Sequence, residues 1–165
     1  MAGGATTITA TYNEDFFFSG SAATSAPLTV LVYYGFTGFL SPLGTAGTAQ
    51  NPTFSGSANL GSAVPLKWQL RDSSGAFLTD LATTTTIEAV LNPSCTGPAP
   101  ASGRINLYSP ATGATGNSSF RYDATNNQFR FNWDTSYGGI AAGCYTVILT
   151  LNDGSQPKAT SVQLQ

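Results

Sequence analysis

Histidine is absent from this chain, and charged residues occupy only 8% of its 165 positions. Without an imidazole, neither a Ser-His-Asp nor a Cys-His catalytic arrangement can be assembled, and the commonest general base at neutral pH is missing. The net charge is −2 with only six basic residues, which provides no positive surface for nucleic acid or anionic lipid. We therefore expect no nucleic-acid partner and no membrane partner.

Long hydrophobic runs are absent as well, and the first residues lack the basic flank and apolar stretch of a signal peptide. The low charge leaves the surface to threonine, serine, asparagine, glutamine and glycine. Threonine suits the pleat of a strand, and uncharged β surfaces of this kind are typical of exported modules. We expect an extracellular or cell-surface protein whose leader lies outside this chain.

The sequence has two cysteines, Cys95 and Cys144. They are too far apart for a CxxC redox site, and without histidine a zinc site would lack half of its usual ligands. We predict a disulfide between them, which would close a loop of about 50 residues and stabilise the fold by about 4 kcal/mol. The alternative is two buried free thiols in a cytosolic protein.

Apolar residues alternate with polar ones in many short segments, which indicates strands. The clearest segment places Val64, Leu66, Trp68 and Leu70 on one face. Seven or more such segments, separated by turn signals and with no helical pattern, predict an all-β fold: an Ig-like antiparallel β-sandwich with an N-terminal two-strand extension. The segment 44–59 is poor in apolar residues and is expected to be a loop or linker.

Five motifs occur in order along most of the chain: FTGFLSP at 36–42, GSAVPLKW at 61–68, FRYD at 120–123, QFRFNW at 128–133 and AGCYTV at 142–147. In this order they resemble the PxKF domain family of bacterial exported proteins, over about residues 34–165. Trp68 stands where the family usually has phenylalanine. Residues 5–33 resemble the last strands of a bacterial Ig-like repeat.

The resemblance implies three parts: a partial Ig-like repeat at 1–33, an aromatic joint and linker at 34–60, and a PxKF-like β-sandwich at 61–165. It also implies a piece of a longer exported protein, with the other domains of that protein as partners. Because a lone two-stranded hairpin is marginal in water, residues 5–33 are expected to dock on the main domain or on a second copy of the chain. A homodimer is the favoured outcome.

Hydrolysis without histidine could still proceed through a hard cation held by oxygen ligands, with calcium fitting best. Two turns carry suitable groups, although Asp and Asn also occur in turns simply because their side chains stabilise them. The candidate ligands are Asn13, Glu14 and Asp15 in one turn and Asp123, Asn126 and Asn127 in the other. This pattern supports an alternative function, a small calcium-dependent hydrolase of esters or lactones.

Two further sets of residues suggest other chemistry. The aromatic cluster Tyr33, Tyr34, Phe36 and Phe39 could stack on sugar rings, as in a carbohydrate-binding module, or pack an interdomain joint. Lys67 could form an isopeptide crosslink if it were buried, but the alternation places it on the solvent side. We predict a secreted or cell-surface structural or adhesion module without established catalysis.

Overall fold

A computed structural model describes residues 4–9, 26 and 28–165. In this part of the chain the strands are β1 (Gly4–Ile8), β2 (Leu28–Val32), β3 (Gly35–Gly38), β4 (Gly47–Thr48), β5 (Thr53–Ala58), β6 (Ala63–Arg71) and β7 (Thr84–Leu91). They are followed by β8 (Ile105–Ser109), β9 (Gly113–Ala114), β10 (Ser119–Asp123), β11 (Gln128–Asp134), β12 (Gly143–Leu151) and β13 (Lys158–Leu164). One turn of 3-10 helix, Leu81–Thr83, precedes β7.

The strands form two packed sheets and a separate ribbon. The first sheet has the order β10-β11-β6-β3, and the second has the order β4-β13-β12-β7-β8-β9, with β5 also beside β13. Every described pair is antiparallel except β5 and β13. This architecture confirms the predicted all-β sandwich.

The core lies between the two sheets, and the alternation in β6 and β11 selects the residues that fill it. Leu66, Trp68, Phe129, Phe131 and Trp133 are all fully buried. The residues between them in sequence are partly exposed, since successive side chains of a strand point to opposite faces. The face assignment made from the sequence is therefore correct for these strands.

Residues 44–59 do not form the loop or linker that their composition predicts. They contain β4 and β5, which both pair with β13, and β3 just before them pairs with β6. Small polar residues can form such edge strands because the backbone ladder, rather than side-chain burial, holds them in place. The stretch 34–60 is thus part of the sandwich and contributes strands to both of its sheets.

The N-terminal ribbon consists of β1 and β2, which pair only with each other among the described strands. Its first strand ends at Ile8, whereas the sequence pattern predicts a strand over 7–12 with Ile8 pointing inward. Residues 10–12 lie outside the described part of the chain. Ile8 is 55% exposed, so the face of the ribbon that carries it is open in the single chain.

Candidate functional sites

The predicted disulfide is present between Cys95 and Cys144, whose Cα atoms lie 5.5 Å apart. Cys144 is 3% exposed at the start of β12. Asn92 fastens the same loop, because its side-chain amide donates to Thr146 Oγ1 at 2.9 Å and to the carbonyl of Gly97 at 2.9 Å. The disulfide and Asn92 together hold the loop after β7 against the outer face of the larger sheet.

The turn between β10 and β11 holds the described half of the predicted calcium ligands. Asp123 accepts hydrogen bonds from the backbone N–H of Thr125 at 3.2 Å and from the side-chain amides of Asn126 at 2.9 Å and Gln128 at 3.2 Å. These bonds, the one from Asn126 first, lower the pKa of Asp123. The carboxylate is therefore satisfied by its own turn, and Asn126 presents an amide N–H rather than an oxygen toward it.

Asn127 completes the turn in a left-handed conformation with φ of 49°. Its side-chain oxygen accepts a hydrogen bond from the Tyr122 hydroxyl at 3.3 Å. Over residues 4–9, 26 and 28–165, no three Asp, Glu or Cys side chains lie close enough together to hold a metal ion. The other proposed ligands, Asn13, Glu14 and Asp15, lie outside the described residues.

The aromatic cluster does not form one surface. Phe39 is 3% exposed and packs edge-on against Trp68, with ring centroids 6.4 Å apart. Phe36 packs edge-on against Phe39 at 6.0 Å. Tyr33 remains 48% exposed. Phe39 is therefore wrong as a ligand-stacking residue, because a side chain enclosed by the core cannot meet a sugar ring.

Tyr34 instead ties the start of the sandwich to the turn after β12. Its backbone N–H donates to Asp153 Oδ2 at 2.6 Å, and its hydroxyl donates to Asn152 Oδ1 at 2.8 Å. Asn152 donates in turn to the backbone carbonyls of Thr83 and Ala82, each at 2.9 Å. The chain is thus anchored where it passes from the ribbon to the sandwich.

Asp153 is the unexpected residue of this joint, since it is an acidic residue that is only 2% exposed. Its second oxygen accepts from the backbone N–H of Ser155 at 3.0 Å. Burial raises the pKa of the Tyr34 phenol, and the negative charges of Asp153 and Asp80 raise it further. The residues at 152–155 are typical of a turn, but the sequence carries no signal for the bond to Tyr34.

Lys67 lies on the outer face of β6, opposite Arg130 of β11. Its ammonium group donates to the backbone carbonyl of Ser41 at 3.0 Å. The side chain is partly exposed, as the alternation predicts. An isopeptide bond requires a desolvated lysine next to an Asn or Asp acceptor, and the described contact of Lys67 is with a carbonyl instead.

Comparison with protein-family models, curated proteins and solved structures finds no match for this chain. Within the described residues, no helix is long and apolar enough to cross a membrane.

Proposed function

We propose that this chain is an extracellular or cell-surface structural module, a spacer or adhesion unit within a larger exported protein. The observation that carries the proposal is the position of its two points of connection. Tyr34 lies beside Asp153, two residues beyond the end of β12. Leu164, the last residue of β13, lies beside Gly143, the first residue of β12.

The two connections are therefore separated by the length of β12. Nine residues at ~3.3 Å each span about 30 Å. Neighbouring segments of the polypeptide would leave the sandwich from opposite ends, and modules of this kind line up in series. A sandwich with both connections at one end would instead fold an array back on itself.

Two other features support an exported setting. The disulfide fits an oxidising compartment better than the cytosol. The low charge, 8% of residues, leaves a surface of hydroxyl and amide groups. The resemblance to the PxKF family of exported proteins points in the same direction.

The arrangement in series can be tested with two full chains joined in one polypeptide. Small-angle X-ray scattering should show that the second copy adds at least about 30 Å to the maximum dimension, with little change in the cross-section. A pair that widens without lengthening would contradict the proposal.

The two alternative functions are tested on the single chain. Purified protein is assayed for hydrolysis of a panel of small esters and lactones, with and without a calcium chelator, and for binding to a panel of glycans. Hydrolysis that calcium restores after chelation, and that Asp123→Ala weakens, would replace the structural module with a hydrolase. Glycan binding that Tyr33→Ala abolishes would make the chain a carbohydrate-binding module.

A further inference from the structure

The only parallel pair among the described strands is β5 with β13. Thr53, the first residue of β5, lies beside Thr160, and Ala58, the last residue, lies beside Leu164. The chain therefore enters β5 at one end of the pair and leaves β13 at the other end. Opposed forces on the two strands would act along the pair.

Side chains fasten the pair near its first end. Thr160 Oγ1 donates to the backbone carbonyl of Thr53 at 2.9 Å and lies 2.6 Å from Ser55 Oγ. Ser55 Oγ also accepts from the backbone N–H of Gly44 at 2.9 Å. Because Thr160 is fully buried, water does not compete readily for these bonds.

Backbone hydrogen bonds continue past the other end of the pair. The N–H of Gln165 donates to the carbonyl of Ala58 at 3.1 Å, and the N–H of Leu60 donates to the carbonyl of Gln165 at 2.9 Å. On its opposite edge, β13 pairs with β12 along its whole length. The last strand is therefore held on both sides.

The direction of the load decides how these bonds break. When parallel strands are pulled from opposite ends, all of the hydrogen bonds between them are strained together and must break nearly at once. When they are pulled from the same end, the bonds open one after another. Forced unfolding is governed by the barrier along the pulled direction rather than by the free energy of unfolding.

We propose that the module bears tension along its long axis and that the β5–β13 pair is its mechanical clamp. The inference rests on the proposed function, because a module that is connected at opposite ends within a series carries tension along its length. In such a unit, tension reaches β5 through Tyr34, β3 and β4 and leaves through Leu164.

The clamp is tested by single-molecule force spectroscopy on the full chain. One tether holds the protein by its N- and C-termini. A second holds it by the C-terminus and by an azide-bearing residue at Asn59, just after β5, so that the same pair is pulled from one end. The expected unfolding force is at least about twofold higher for the terminal tethers. Equal forces in the two geometries would overturn the clamp.

A matched pair of substitutions locates the barrier. Thr160 and Thr135 are both fully buried, and each hydroxyl makes two hydrogen bonds, those of Thr135 being with Ser62 O at 2.6 Å and Gly61 N at 2.9 Å. Thr160→Val should lower the unfolding force between the termini, whereas Thr135→Val should leave it nearly unchanged. If Thr135→Val lowers the force as much as Thr160→Val, the barrier lies outside the clamp.

The disulfide identifies the unfolding of the sandwich in the force measurements. It closes a loop across a sequence separation of 49 and so hides about 17 nm of extension at ~3.5 Å per residue. The unfolding step of the oxidised chain should be shorter by that length than the step of the reduced chain. A low unfolding force would contradict the mechanical clamp but not the proposed function as a spacer. Hydrolase activity would contradict the proposed function without changing the measured unfolding forces.

Discussion

The backbone N–H of Tyr34 donates a 2.6 Å hydrogen bond to the carboxylate of Asp153, a residue 119 positions further along the chain. Asp153 is 2% exposed, and its carboxylate accepts from this donor and from the backbone N–H of Ser155. A buried carboxylate is tolerated when charge-assisted hydrogen bonds replace its hydration. The contact therefore fixes the place where the chain enters the sandwich.

Replacing Asp153 should destabilise the protein. Asp153→Ala removes the acceptor of two partly buried backbone N–H groups, and an unmet donor costs about 1–3 kcal/mol when it is buried, so the loss should lie toward the lower end of that range for each bond. The Asp153→Asn substitution keeps one acceptor oxygen and should therefore reduce the free energy of unfolding by less. Urea unfolding of the two variants checks this order. An alanine variant as stable as the asparagine variant would show that the two bonds contribute little.

The face assignment in β11 gives a second prediction. Phe131 is fully buried in the core, while Arg130, its neighbour in sequence, points to the outer face, 4.0 Å from Asp123 and partly exposed. Phe131→Ala should cost about 3–5 kcal/mol of unfolding free energy, and Arg130→Ala less than about 1 kcal/mol. Chemical denaturation measures both changes, and equal losses would contradict the assignment.

The sequence predicts best those elements that its own residue pattern specifies without reference to a partner strand. The period of two in β6 and β11 assigns Trp68 and Phe131 to the core without any knowledge of their partners. The two cysteines allow a single pairing. By contrast, β5 is poor in apolar residues and exists because β13, about a hundred residues later, supplies its ladder.

The joint at Tyr34 is not predictable from the sequence for the same reason. The residue types at 152–155 are those of a turn, but Asp153 Oδ2 accepts from Tyr34, 119 positions earlier in the chain. The aromatic cluster is the opposite case, because its local pattern is clear but has two interpretations. Dense aromatic residues indicate either a surface or a core, and only the packing of Phe39 on Trp68 decides between them.

Acid should weaken the fold at Asp134. Its carboxylate accepts from the hydroxyl and backbone N–H of Ser136 and from the backbone N–H of Asn117. These bonds, the one from the Ser136 hydroxyl first, lower its pKa. A lowered pKa in the folded state gives stability that is fully present above the unfolded-state pKa, and the stability is lost as the pH falls through the folded-state pKa.

The urea concentration at the midpoint of unfolding should therefore decrease as the pH falls below about 4. The Asp134→Asn substitution should remove part of this pH dependence. Titration of the Asp134 carboxyl by NMR gives a direct check. A pKa at or above that of an aspartate in an unstructured peptide would contradict this account.

The last prediction concerns the ribbon of β1 and β2. Ile8 lies opposite Leu28, and Val30 lies two residues further along, on the same face of β2. Their exposures are 55%, 62% and 37%. A two-stranded ribbon with an open apolar face is marginal alone and ready to pair. The described ribbon carries no charge that would repel an identical one, so we propose that a second copy of the chain covers it.

Three partly exposed side chains are too few to bury the roughly 1,200 Å² of total area that stable interfaces bury, so the dimer should be weak and dependent on concentration. Sedimentation velocity over a range of concentrations should show reversible association that Leu28→Ser abolishes. Leu31→Ser is the matched control, because Leu31 is 54% exposed on the opposite face of the same strand. A chain that stays monomeric at every concentration, or one that both substitutions affect equally, would show that this face does not form the contact.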